Sequence, residues 1–82
     1  MTRSFAGFPR ITVNPRVMAG KPCIRGMRFA VSNLLDELAG GASVDELLRD
    51  FPYLEREDVA EVLRFAAWRT GERDVELVDA AA

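Results

Sequence analysis

The sequence predicts a mainly α fold, in which a short N-terminal β-hairpin or strand pair precedes a bundle of three helices. Three observations predict it. Apolar residues recur at i, i+3, i+4 and i+7 in three successive windows after residue 30. Each window is bounded by residues that start or stop helices. Before residue 31 the helical period gives way to short β-branched runs broken by proline and glycine.

The elements follow in order. Ile11-Thr12-Val13 is a β-like run stopped by Asn14-Pro15, and Ile24 to Val31 is a second candidate strand that alternates imperfectly around Gly26. Such a pair is marginal alone, so it must pack on the helices or pair with a second copy of the chain. Val31, Leu34, Leu35 and Leu38 make the first helical stripe, which Gly40-Gly41 stops. Val44, Leu47, Leu48 and Phe51 make the second; Ser43 and Glu46 have the spacing of a capping box, and Pro52 forces Phe51 out of helical geometry. Val59, Val62, Leu63 and Ala66 make the third, with Glu57 and Asp58 at the favourable end of the helix dipole and Thr70-Gly71 as its end. The chain therefore divides into a flexible basic N-terminal arm over 1–10, a domain over 11–70 and an acidic C-terminal tail over 71–82. That tail is either a frayed end or a segment that orders on a partner.

Charge is distributed unevenly. Residues 1–28 carry six cations and no acid, whereas residues 29–82 carry five arginines and thirteen acids, so a net charge of −2 conceals halves of +6 and −8. Either the basic half faces nucleic acid and the acidic half a basic partner, or the two halves attract one another within the fold or across a dimer. The segment Gly20-Lys21-Pro22-Cys23-Ile24-Arg25-Gly26-Met27-Arg28 concentrates the cations on a stretch rich in turn residues. It is either a stiff loop presenting positive charge to an anion or a tight hairpin with solvated charges.

At 82 residues the chain is one domain, which buries only about 60–65 per cent of the surface its unfolded form exposes, and oligomerisation is an expected remedy. One cysteine, Cys23, forms no internal disulfide and reads as a small packed residue. Without histidine there is no Cys/His zinc site, Ser/His/Asp triad or Cys/His nucleophile. No metal, cofactor or catalytic residue is expected, so binding rather than catalysis is the expected function. No run approaches 18 apolar residues and Met1 to Arg10 lack an apolar signal core, so a soluble, cytoplasmic protein is expected. With the third stripe set as above, Trp68 falls opposite it and Phe65 beside Trp68. The pair meets a second protomer or another protein, or else packs under Phe5, Phe8 or the hairpin.

The order of Ile-Thr-Val-Asn-Pro at 11–15, the nine-residue basic segment, a Leu-Leu helix, Ser43-Val-Asp-Glu-Leu-Leu, and Phe51-Pro-Tyr-Leu-Glu-Arg-Glu-Asp-Val resembles the domain-of-unknown-function 433 family over about residues 11–69. The resemblance implies a homeodomain-like helix-turn-helix bundle after the β element. It also implies the role of a VapB-like antitoxin in a type II toxin–antitoxin pair, beside a PIN-like ribonuclease toxin. One departure is Glu55, where the family commonly has Thr or Ser; Glu is a weaker cap, and Glu57 or Asp58 would assist through the dipole.

Under that implication the first residues of the third helix would enter the major groove, yet they are Glu55, Arg56, Glu57 and Asp58, and the helix over 55–69 has net charge −1. The expected DNA contacts are therefore Arg3, Arg10, Lys21, Arg25 and Arg28 on phosphates, with Arg56 as the base contact. An autoregulatory homodimer gripping its promoter through the basic hairpin is the expected arrangement. The expected toxin or dimer interface comprises Phe65, Trp68, Glu72, Asp74, Val75 and Leu77, the acidic tail mimicking a polyanion for a basic ribonuclease. The alternative is a stand-alone DNA-binding transcriptional regulator.

Overall fold

The structure is a computed structural model and describes residues 1–71. The chain runs through strands β1 (Arg3–Phe5), β2 (Phe8–Val13) and β3 (Cys23–Ile24), then helices α1 (Val31–Ala39), α2 (Val44–Asp50) and α3 (Arg56–Gly71). The strands form an antiparallel sheet in the order β1-β2-β3, pairing Arg3 with Val13, Ser4 with Thr12, Ile11 with Ile24 and Thr12 with Cys23. The fold is thus mixed α/β rather than mainly α, and the N-terminal element is a three-stranded sheet rather than a strand pair.

The extra strand lies in residues read above as a flexible arm. Ala6 and Gly7 connect β1 to β2, and Gly7 has φ +85°, a conformation that costs glycine no steric penalty. Phe5 and Phe8 then flank the connection and pack on α3, which gives a short hairpin the apolar support it needs. The second candidate strand is shorter than expected. Only Cys23 and Ile24 pair with β2, Ala30 bridges back to Cys23, and Val31 already begins α1. Between them the chain reverses at Arg25 and Gly26, both with positive φ (45° and 72°), and Met27 N–H donates to the Ile24 carbonyl at 2.9 Å. These are the features of a mirror-image hairpin turn, for which Gly26 is suited and Arg25 is strained.

The helices begin and end where the sequence signals them. Gly41 N–H donates to the Leu38 carbonyl and Ala42 N–H to the Glu37 carbonyl, the paired bonds of a Schellman stop. At α2, Glu46 N–H donates to Ser43 Oγ at 3.1 Å while Ser43 N–H donates to Glu46 Oε1 at 3.0 Å, so the capping box is closed. The bond from the Ser43 backbone holds the Glu46 carboxyl below its usual range. Phe51 leaves helical geometry, with φ −125°.

Ile11, Ile24, Phe29, Val31, Leu34, Leu47, Leu54, Val59, Val62 and Phe65 form the core, in which α3 packs against β2, α1 and α2. The third apolar stripe requires correction. Leu63 is 48% exposed and Ala66 only partly covered, whereas Asp58, Val59, Glu61, Val62 and Phe65 are buried. The helix is turned by about one residue from the expected face, because the sheet covers a flank that carries two acids as well as Phe65. Hydrophobic spacing alone cannot anticipate a buried carboxylate.

The Ser43→Ala variant should lose about 1 kcal/mol of unfolding free energy. In a domain of this size that lowers Tm by roughly 4–8 °C. Thermal and urea melts followed by far-ultraviolet circular dichroism check it, with the urea m-value unchanged.

Candidate functional site

Asp58 is the centre of the polar structure. It is the third residue of α3, its side chain is fully buried, and four groups from three segments converge on its two oxygens. Arg10 Nη1, from β2, donates to Oδ1 at 2.8 Å. Arg25, from the turn after β3, donates through Nε to Oδ1 at 2.9 Å and through Nη2 to Oδ2 at 2.9 Å, a bidentate grip. Glu55 N–H donates to Oδ2 at 2.8 Å, so Asp58 supplies half of a capping box at the start of α3. This is how α3 starts without a Ser or Thr cap at position 55.

Neighbouring groups extend the network. Arg10 Nη1 also meets Glu55 Oε1 at 2.8 Å, Arg10 N–H donates to the buried carboxylate of Glu61, and Arg25 Nη2 donates to the Tyr53 carbonyl at 2.7 Å. Among the described residues no buried side-chain nitrogen or oxygen lacks a partner. Burial pushes the Asp58 carboxyl up, but the hydrogen bonds from Arg25, the Glu55 backbone and Arg10 together outweigh it and hold the group below the usual carboxylate range. Bonds from Glu55 and then Asp58 raise Arg10, and the bond from Asp58 raises Arg25.

The six expected DNA contacts therefore fall into two groups. Arg10 and Arg25 are committed to Asp58, and Arg56 Nη2 meets Asp45 Oδ1 across the first turns of α3 and α2 at 2.6 Å, in an exposed pair. At the N-terminal end of α3, Asp58 is buried against Arg10 of β2 and Arg25 of the β3 turn, whereas Glu55, Arg56 and Glu57 are exposed. Arg3, Lys21 and Arg28, with Arg16, are exposed and make no ion pair with any described carboxylate. Cys23 is buried and Sγ donates to the Lys21 carbonyl; burial raises its thiol, as suits a packed residue.

The expected protein interface also divides. Phe65 is only 4% exposed, which corrects its placement on an outer surface. Its ring meets Phe5 at 4.8 Å and Phe8 at 5.3 Å between centroids, both edge-on. Trp68 leans on Phe8 and Phe65 but stays 41% exposed. With Ala60, Leu63 and Ala67 it forms an outward apolar stripe on α3. Glu72, Asp74, Val75 and Leu77 lie outside the described residues. Asp58 and Glu61 escaped the sequence reading as site residues; the one signal was the spacing Glu55-x-x-Asp58, which matches a capping box with the cap residue replaced.

Comparison with known proteins places this arrangement. Residues 11–66 match the family described as "Protein of unknown function (DUF433)". The chain belongs to the DUF433 family. The crystal structure of a DUF433 member from Anabaena variabilis ATCC 29413 superposes with a TM-score of 0.72 at 28% identity, over 78% of this chain and 63% of that one. This chain thus spans under two thirds of the length of that relative. No curated protein matches. The DUF433 match includes Arg10's neighbours in β2, the Arg25 turn and Asp58, and leaves β1 and the last turn of α3 outside. Among the described residues no helix is long and apolar enough to cross a membrane.

Replacing Asp58 by Ala should cost about 3 kcal/mol, since Arg25 then has no carboxylate partner among the described residues and Arg10 keeps only Glu55. The pH dependence has a definite sign. A carboxyl with a depressed folded pKa stabilises fully above its unfolded value of about 3.9, and that stability is lost as pH falls through the folded value. The wild type should therefore lose stability below about pH 4, and Asp58→Asn should flatten that limb while leaving the share due to Glu46. Urea midpoints measured from pH 2 to pH 7 decide it.

Proposed function

We propose that this DUF433 chain is a binding protein that acts as the antitoxin of a ribonuclease toxin and, as a dimer, holds its own promoter DNA through the phosphate backbone. The observation that carries the DNA half is the state of its cations: Arg3, Arg16, Lys21 and Arg28 stand exposed on the sheet and its connections with no described counter-charge. Exposed cations of this kind bind a polyanion by releasing its counterions. In the helix-turn-helix reading, α2 and α3 would be the paired helices. Because Asp58 and its arginines occupy the start of α3, the sheet rather than that helix makes the main contact, and Arg56 reaches DNA only by leaving Asp45.

The protein-binding half is supported by the stripe of Ala60, Leu63, Ala67 and Trp68, since tryptophan is enriched in binding hot spots and an exposed apolar patch marks an interaction site. The antitoxin role itself comes from the family resemblance.

Neutralising Arg3, Lys21 and Arg28 together by glutamine should reduce the slope of log K against log salt by about 3 in a gel-shift titration with the promoter. An unchanged slope would remove DNA from the proposal. Leu63→Ser with Trp68→Ser should abolish co-elution with the product of the adjacent reading frame. If that product never co-elutes with the wild type, the antitoxin reading fails.

A further inference from the structure

A second surface lies away from the α3 stripe. Phe29, Phe51 and Tyr53 form three walls of a depression of about 410 Å³, and α1 contributes Asn33, Asp36 and Glu37 to its rim. The rings stand steeply to one another: Phe29 to Phe51 at 5.0 Å and 74°, Phe29 to Tyr53 at 6.1 Å and 70°, Phe51 to Tyr53 at 6.2 Å and 65°. Phe29 and Phe51 are anchored in or against the core, while Tyr53 remains 51% exposed. The backbone that carries Tyr53 is fixed, because its carbonyl accepts from Arg25 Nη2 and Leu54 N–H donates to the Phe51 carbonyl at 2.9 Å.

The chemistry of this depression is one-sided. Ring faces carry negative electrostatic potential, and the two rim carboxylates make no ion pair or side-chain hydrogen bond with any described residue. Asn33, Asp36 and Glu37 share a face by their i, i+3, i+4 spacing. Arg28 lines an adjacent depression with Met27, Phe29 and Tyr53 and not this one. We infer that the depression is a docking site for an arginine side chain of a protein partner. A guanidinium can lie flat on a ring and pair with a carboxylate in its plane, which a compact ammonium cannot do as well. A phosphate would be repelled by the two rim carboxylates, so DNA is not the occupant of this depression. The inference rests on the reading above only in naming the partner, a ribonuclease whose RNA-facing surface must be basic.

Two measurements test it on the full chain. Titrating ¹⁵N-labelled protein with N-acetyl-arginine amide should shift the amide signals of Asn33, Asp36, Glu37 and Tyr53, with the lysine analogue weaker and the norleucine analogue silent. Tyr53→Ala and the double variant Asp36→Asn with Glu37→Gln should abolish the shifts, and the double variant should keep the wild-type melting curve. No shift with arginine, or an equal shift with norleucine, overturns the inference. In the second measurement the same variants should bind the neighbouring ribonuclease at least tenfold more weakly; undiminished affinity overturns the inference and leaves the antitoxin reading standing. A ribonuclease that ignores the wild type defeats the antitoxin reading, and the arginine titration then decides the site alone. Variants that lose only self-association, seen by sedimentation, would show that a second copy fills the depression and would overturn it.

Discussion

The carboxylate of Asp58 is the constraint on which the rest of the molecule depends. It is out of water, yet its oxygens are met by a β2 arginine, a turn arginine and the backbone amide of Glu55, the residue just before its own helix. Three segments far apart in sequence are thereby fixed to one point. The sheet cannot slide on α3 without stranding a buried charge, and a stranded charge costs far more than a paired one contributes. Arg25 also explains the strained turn before it. A positive φ at a non-glycine residue persists only where surroundings over-determine it, and here the Arg25 side chain holds Asp58 and Tyr53 while its N–H donates to the Arg10 carbonyl.

The apolar counterpart of that contact is the group of Phe5, Phe8, Phe65 and Trp68. An 82-residue chain has little core to share among three helices and a sheet, so the hairpin is held by large rings in edge-on contact rather than by many aliphatic residues. Phe65 is enclosed because the hairpin covers it. Trp68, one turn further along α3, reaches past the edge of Phe8 and keeps part of its surface outside. The same packing that closes the core therefore leaves the apolar stripe of α3 largely uncovered among the described residues.

Most of the helical architecture was legible in the sequence because its signals are local. The capping box at Ser43, the stop at Gly40-Gly41 and the break at Pro52 each act within a few residues, and the structure has all three. The sheet was less legible. A hairpin of three and six residues joined by Ala6-Gly7 has no periodic stretch long enough to register, and its support comes from Phe65, some 60 residues away. The face of α3 was misjudged for a related reason: the rule that places apolar residues inside has no term for an acid made buriable by two distant arginines. The opposed charge of the two halves was plainly visible. Which cations were tied internally was not, since Arg10 and Arg25 differ from Arg3 and Arg28 only in what the fold brings beside them.

That division decides what each surface can recognise. With Arg10 and Arg25 neutralised inside the fold, the remaining N-terminal cations are exposed and pair with no carboxylate among the described residues. Asp36 and Glu37 are in the converse position, beside the half-exposed ring of Tyr53, from which a phosphate gains nothing and on which a guanidinium can stack. The overall charge of −2 therefore carries no information about partners. The proposed division between a polyanion-binding surface and one for a basic side chain rests instead on local sign combined with local ring chemistry.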